Sequence, residues 1–211
     1  MTEQPMKLSK HSIQQAFDEL APDYDRRLWF DSHILGVERL RRQLMRQAEG
    51  RILDLACGTG ANFKYFPAIS EIVGVDLSPG MLEVAQATAL GLNIAVQLYE
   101  MDAERLTFAD DSFDTVVSAL STCTFVDPIR ALQEIGRVCR PGGQVLLLEH
   151  GRSKVDRLAA YQEKTAAAHY EAHAGCRWNQ DPIELIKEAG LQLVSVDRAT
   201  LGVFYMIKAT V

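Results

Sequence analysis

Arg51-Ile52-Leu53-Asp54-Leu55-Ala56-Cys57-Gly58-Thr59-Gly60 is the stretch that decides the fold of this 211-residue chain. Ile52, Leu53 and Leu55 read as a short buried strand, and Gly58-Thr59-Gly60 reads as a sharp turn at its tip. Glycine suits such a turn because it reaches positive φ and carries no Cβ to hold a ligand off the backbone. A second apolar run, Ile72-Val73-Gly74-Val75, ends in Asp76, twenty-two residues after Asp54. An acid at the tip of the next strand can hold a ribose diol through charge-assisted hydrogen bonds. The pair of tips predicts a nucleoside-type ligand at the carboxyl ends of a sheet.

Working outward, strand-like runs at 51–56, 71–76, 94–101, 113–119 and 143–149 alternate with helical patterns. Each run is apolar enough to be covered on both faces, which predicts a parallel, doubly wound α/β sheet. Ser78-Pro79, Asp127-Pro128 and Asp181-Pro182 each give a cap followed by a first-turn proline, and so start helices. Residues 152–176 form an alanine-rich helical stretch. The runs at 191–196 and 203–211 predict an antiparallel hairpin that ends the sheet. Before the first strand, Ile13, Ala16, Phe17 and Leu20 have helical spacing. Residues 32–49 read as a second helix, with Ile34, Leu35, Val37, Leu40 and Leu44 on one face and Arg39, Arg41, Arg42 and Arg46 mostly elsewhere. One domain is expected, with residues 1–49 as a helical lid, 50–150 as the ligand-binding core and 151–211 on the substrate side.

Composition narrows the function. A net charge of −6 argues against a general nucleic-acid binder. Residues 26–51 run against that trend, with seven arginines against three acids. Such a cationic amphipathic helix either packs on its own domain or meets an anionic partner. No apolar run is long enough to span a bilayer, no signal peptide opens the chain, and the four cysteines form no CxxC. A cytoplasmic, reduced protein is expected, with peripheral contact to an anionic membrane as an option.

The turn lacks the G-x-G-x-x-G of a dinucleotide site and the Lys-Ser or Lys-Thr of a P-loop. A nucleoside without phosphate fits instead. Asp54 and the glycine turn would face an amino-acid moiety and Asp76 the ribose, while Asp102 and the Ala103 N–H would face an adenine. In Asp54–Gly60, Gly74–Met81, Met101–Ala103, Phe113–Val117 and Arg140–Gly143, the chain resembles the class I S-adenosylmethionine-dependent methyltransferases, especially the group of the ubiquinone and menaquinone C-methyltransferases. The resemblance implies a seven-stranded Rossmann-like fold with one antiparallel C-terminal strand, and S-adenosylmethionine as cofactor. It implies that Leu77 and Met81 pack around the adenosine, that Ser118 borders the methyl donor, and that Tyr24 closes over the cofactor. Ala56 stands where many members of the group have the first glycine, which requires an ordinary negative φ there.

On the substrate side, Leu148–Arg152 and Gly175–Asn179 are similar to a subgroup that includes bacterial phosphatidylethanolamine N-methyltransferases. N-methylation of that head group is the first expectation. C- or O-methylation of a quinone-like ring, methylation of a thiol, and cofactor binding without turnover are the alternatives. His150, just past the fifth strand, is placed to take the acceptor's proton or to bond structurally. Tyr161, Tyr170 and Trp178 are expected to line the acceptor pocket. His169 and His173, four apart with Cys176 following, have a metal-like spacing, but no fourth ligand is in view and no metal is expected. Cys57 and Cys123 read as small apolar fillers.

Overall fold

A computed structural model describes residues 8–29 and 33–211; the start of the arginine-rich helix at Ser32 lies outside them. Seven strands form one sheet in the order β3-β2-β1-β4-β5-β7-β6. They are β1 (Arg51–Leu55), β2 (Glu71–Asp76), β3 (Val96–Glu100), β4 (Phe113–Ala119), β5 (Cys139–His150), β6 (Gln192–Ala199) and β7 (Phe204–Thr210). The first five pair in parallel, and β7 runs antiparallel to both β5 and β6. The expected doubly wound sheet and its closing hairpin are both present.

The helices form where caps and apolar spacing ask for them. Ser9 caps α1 (Lys10–Leu20) by accepting from the Ser12 N–H, and Ala21–Asp23 then tightens into a 3₁₀ turn that leads to α2 (Tyr24–Arg27). α3 (Val37–Met45) follows Gly36 at φ +79°. The side chains of Ser78, Asp127 and Asp181 each accept a backbone N–H at the start of α4 (Pro79–Leu92), α5 (Pro128–Val138) and α7 (Pro182–Glu188). α6 (Asp156–Ala172) fills the alanine-rich stretch.

Successive strand residues point to opposite faces, so two cores form. On one face Leu53, Leu55, Val73, Val116 and Leu147 pack with Leu132, Ile135 and Ile186 of α5 and α7. On the other, Ile52, Ile72, Val117, Leu146 and Leu148 pack with Ala85 and Ala89 of α4 and with Val37, Leu40 and Leu44 of α3. The apolar stripe of the arginine-rich helix is therefore spent on its own domain. Arg39, Arg42 and Arg46 remain exposed, while Arg41 is only partly so.

Candidate functional site

A cavity of about 370 Å³ opens at the carboxyl ends of β1 to β4, beside the point where the strand order reverses between β1 and β4. Open α/β sheets bind ligands at such a crevice. Its wall takes Ala56, Gly58 and Gly60 from the tip of β1, and Asp76, Leu77 and Met81 from β2 and α4. Asp102 and Ala103 come from the end of β3, and Phe17 and Tyr24 from the amino-terminal helices.

Ala56 corrects the sequence reading: its φ is +52°, not negative. The chain must reverse at once on leaving β1, and the left-handed region is what this reversal demands. An alanine there costs about 1–2 kcal/mol relative to the right-handed form, a strain carried at the site itself. Gly58 and Gly60 also have positive φ, +55° and +79°. A Cβ on Gly60 would stand 2.4 Å from the Phe63 ring, whereas one on Gly58 would meet no protein atom within 4 Å.

The loop is latched to the next strand. Cys57 donates its N–H to the Val75 carbonyl at 2.9 Å. Gly58 N–H donates to Asp76 Oδ2 at 2.8 Å, and Ser78 N–H donates to Asp76 Oδ1 at 2.9 Å. Burial raises the Asp76 pKa, and these N–H donors oppose that rise. Each carboxylate oxygen keeps a lone pair toward further donors.

Asp54 lies beneath the turn, fully buried. Its Oδ1 accepts from Asn62 Nδ2 at 2.8 Å, and Asn62 Oδ1 in turn accepts from Arg41. Its Oδ2 is buried with no hydrogen-bond partner among the described residues. Burial pushes the Asp54 pKa up to about 7, with Asn62 and Arg41 working against it. The sequence reading passed over Asn62 and the inward turn of Arg41, because their meeting depends on how α3 sits on the sheet.

The amino-terminal helices are pegged over the cavity by acids. Asp18 Oδ1 accepts from Ser78 Oγ at 2.6 Å and from Gly80 N–H at 2.9 Å, and Asp25 Oδ1 accepts from Thr59 Oγ1 at 2.8 Å. Lys10 Nζ sits 2.5 Å from Asp102 Oδ2 and 2.6 Å from Glu104 Oε2. Tyr24 is edge-on to Phe17, and burial raises its hydroxyl pKa.

Ser118 is buried behind the wall, in hydrogen-bond contact with Ser121, which does line the cavity. Ser118 Oγ also donates to Glu149 Oε1 at 3.3 Å. Glu149 is fully buried, burial raises its pKa, and its Oε2 has no partner among the described residues. An acid inside the apolar run 145–150 was its signal in the sequence. The cavity wall does not include His150, Tyr161, Tyr170 or Trp178. Trp178 stacks on His169 at 4.4 Å with Tyr161 at its edge, and Tyr170 Oη accepts from the Leu8 N–H. His150 Nε2 lies 3.4 Å from Cys176 Sγ.

Residues 53–147 match the family described as Methyltransferase domain. The chain is 28% identical over 212 residues to methyltransferase OMS1, mitochondrial, of Saccharomyces cerevisiae, a match covering 92% of this chain and 45% of that protein. It is 38% identical over 139 residues to demethylmenaquinone methyltransferase of Thermus thermophilus, covering 63% of each. With phosphatidylethanolamine N-methyltransferase of Cereibacter sphaeroides it shares 34% over 134 residues, covering 63% of this chain and 64% of the relative. The chain thus spans about half to two thirds of these relatives' lengths. Among solved structures, an S-adenosylmethionine-dependent methyltransferase from Thermotoga maritima superposes with a TM-score of 0.70 at 24% identity, covering 94% of this chain and 99% of that one. The [4+2]-cyclase SpnF superposes with a TM-score of 0.77 at 16% identity, covering 97% of each.

The site suits the cofactor of that domain. The orphaned Asp54 Oδ2 suits an ammonium, Asp76 suits a diol, and Gly58 puts no side chain in the way. Residues 53–147 thus match a methyltransferase-domain family, and the sheet around them has the fold of solved S-adenosylmethionine-dependent methyltransferases.

Proposed function

We propose that the whole protein transfers a methyl group from S-adenosylmethionine to an amphipathic acceptor, first of all the amine head group of phosphatidylethanolamine. The observation that carries the transferase reading is the convergence of the glycine turn, Asp76 and Asp102 around one cavity, with Asp54 buried directly beneath the turn. In this reading Asp54 holds the amino-acid end, Asp76 the ribose, and Asp102 with Ala103 the adenine edge. Leu77 and Met81 pack on the adenosine, and Tyr24 and Phe17 exclude water from above. The cofactor supplies an electrophilic methyl group on a sulfonium, and the chain supplies alignment. Of the two roles open to His150, the structural one has the support of its Nε2 contact with Cys176 and of a cavity wall that does not include it. A fold alone does not fix chemistry, so turnover has to be measured.

The lipid acceptor is supported by the likeness to the Cereibacter enzyme and by the exposed Arg39, Arg42 and Arg46. Magnitudes decide how a membrane would be met. Lifting Val37, Leu40, Leu44 and Met45 off the core would cost about 1.5–3 kcal/mol for each side chain. Three arginines at an anionic surface return about 1 kcal/mol each. The helix therefore stays on the sheet and offers only its arginine face. A quinone-like ring is the second reading, supported by the Thermus relative. Labelled S-adenosylmethionine offered with phosphatidylethanolamine vesicles, quinones and thiols in separate incubations tests the acceptor. Label in the lipid supports the first reading, and label only in another pool refutes it. Flotation with anionic liposomes should weaken with salt and fall when Arg39, Arg42 and Arg46 become Gln.

A further inference from the structure

All four cysteines are unpaired thiols and buried. Two of them meet a histidine. Cys123 follows β4, His150 ends β5, and Cys176 follows α6, and their ligating atoms all lie within 4.8 Å of one another. The spacing seen in the sequence, His169 and His173 with Cys176, is not the one assembled. Those two rings stack on each other at 4.1 Å, and Cys176 turns to His150 instead.

The three segments are held together by hydrogen bonds that do not involve the side chains in question. Arg177 N–H donates to the Cys123 carbonyl at 3.0 Å, and Arg152 N–H to the Gln180 carbonyl at 2.8 Å. Gln162 Nε2 donates to the carbonyls of Gly151 and Trp178 at 3.0 and 2.9 Å. A donor set on such fixed elements is preorganised. Zinc bonds of about 2.3 Å to sulfur and 2.0–2.1 Å to nitrogen put tetrahedral S and N ligands about 3.6 Å apart. The observed sulfur-to-nitrogen distance is 3.4 Å.

Charge selects the ion. Two thiolates and a neutral imidazole around a divalent cation sum to zero, so a buried site carries no net charge. A monovalent soft cation would leave a negative charge to bury, which is costly. We propose that Cys123, His150 and Cys176 bind one Zn(II), with the fourth position open to water or another small ligand. Binding forms two Zn–S bonds and one Zn–N bond and releases the two thiol protons to solvent, with no change of oxidation state. The ion clips the end of β5 to two loops, one of which carries Ser121 and Thr124 of the cavity wall. This proposal does not rest on the identity of the methyl acceptor, and it excludes His150 as a free base while the ion is bound.

The test uses the full chain, reduced and stripped with chelator, then titrated with Zn(II) and separately with Co(II). About one equivalent should bind, raise the unfolding temperature, and give a thiolate-to-cobalt charge-transfer absorption. C123S, C176S and H150N should each lose that equivalent, whereas C139S and H169N should keep it. Reduced wild type that binds no equivalent at micromolar Zn(II), or a Co(II) spectrum without thiolate character, overturns the proposal. So does retention of the metal by folded H150N, or loss of it in H169N. A Cys123–Cys176 disulfide in chain purified without reductant, with no Zn(II) uptake after reduction, overturns it as well.

Discussion

Asp54→Asn isolates the buried carboxyl beneath the glycine turn. Its pKa lies near 3.8 in an unfolded chain and is pushed up to about 7 in the folded one, with burial as the largest cause. The folded state therefore holds this proton more tightly than the unfolded state. The stabilisation is fully present below pH 3.8, is lost progressively as pH rises, and is gone above about pH 7. A gap of about three units is roughly 4 kcal/mol. Chemical unfolding of both proteins between pH 4 and 8 should show wild type losing stability relative to D54N by about 1.4 kcal/mol per unit, then levelling. Cofactor affinity should run the other way. An ammonium against Asp54 Oδ2 requires the ionised form, so wild type should bind S-adenosylmethionine up to about tenfold more tightly per unit from pH 5 to 7. D54N should bind weakly with little slope. A stability difference between the two proteins that does not change with pH across this window would refute the reasoning, whatever the absolute stabilities.

Asp76→Ala should weaken cofactor binding by roughly 2–4 kcal/mol, since hydrogen bonds to a charged group are lost; unchanged affinity by calorimetry would remove Asp76 from the site. Lys10→Met frees Asp102 and should tighten cofactor binding by no more than about fivefold, because a half-exposed ion pair is worth at most about 1 kcal/mol. Weaker binding in K10M would instead make Lys10 part of the binding surface.

The strands, the glycine turn and the tip acids were legible because each is local. Apolar runs of strand length, a cap three residues from its N–H, and an acid at a strand end are all written within a few neighbours. Ala56 was misread for the opposite reason. Its φ is set by where β1 must hand over to the loop latched on Val75, and nothing in its side chain announces that. Arg41 was grouped with its exposed neighbours because helical spacing alone does not say which flank of α3 meets Asn62. The cysteine and histidine cluster draws on three segments, each well over twenty residues from the next, so no motif could carry it.

The same distinction bears on how the cavity is entered. In the amino-terminal helices Asp18 and Asp25 hold the start of α4 and the glycine turn, and Lys10 holds Asp102. These acids and this lysine grip the elements that would hold the ribose and the adenine. A ligand reaching Asp102 must displace Lys10, whereas Asp18, Ser78 and Gly80 do not line the cavity, so their bonds need not break. The helix can then remain pegged at one end while Lys10 swings away at its first turn. Opening the cavity in this way breaks the contacts of Lys10 with Asp102 and Glu104, and its cost is that of two partly screened ion pairs, each worth at most about 1 kcal/mol.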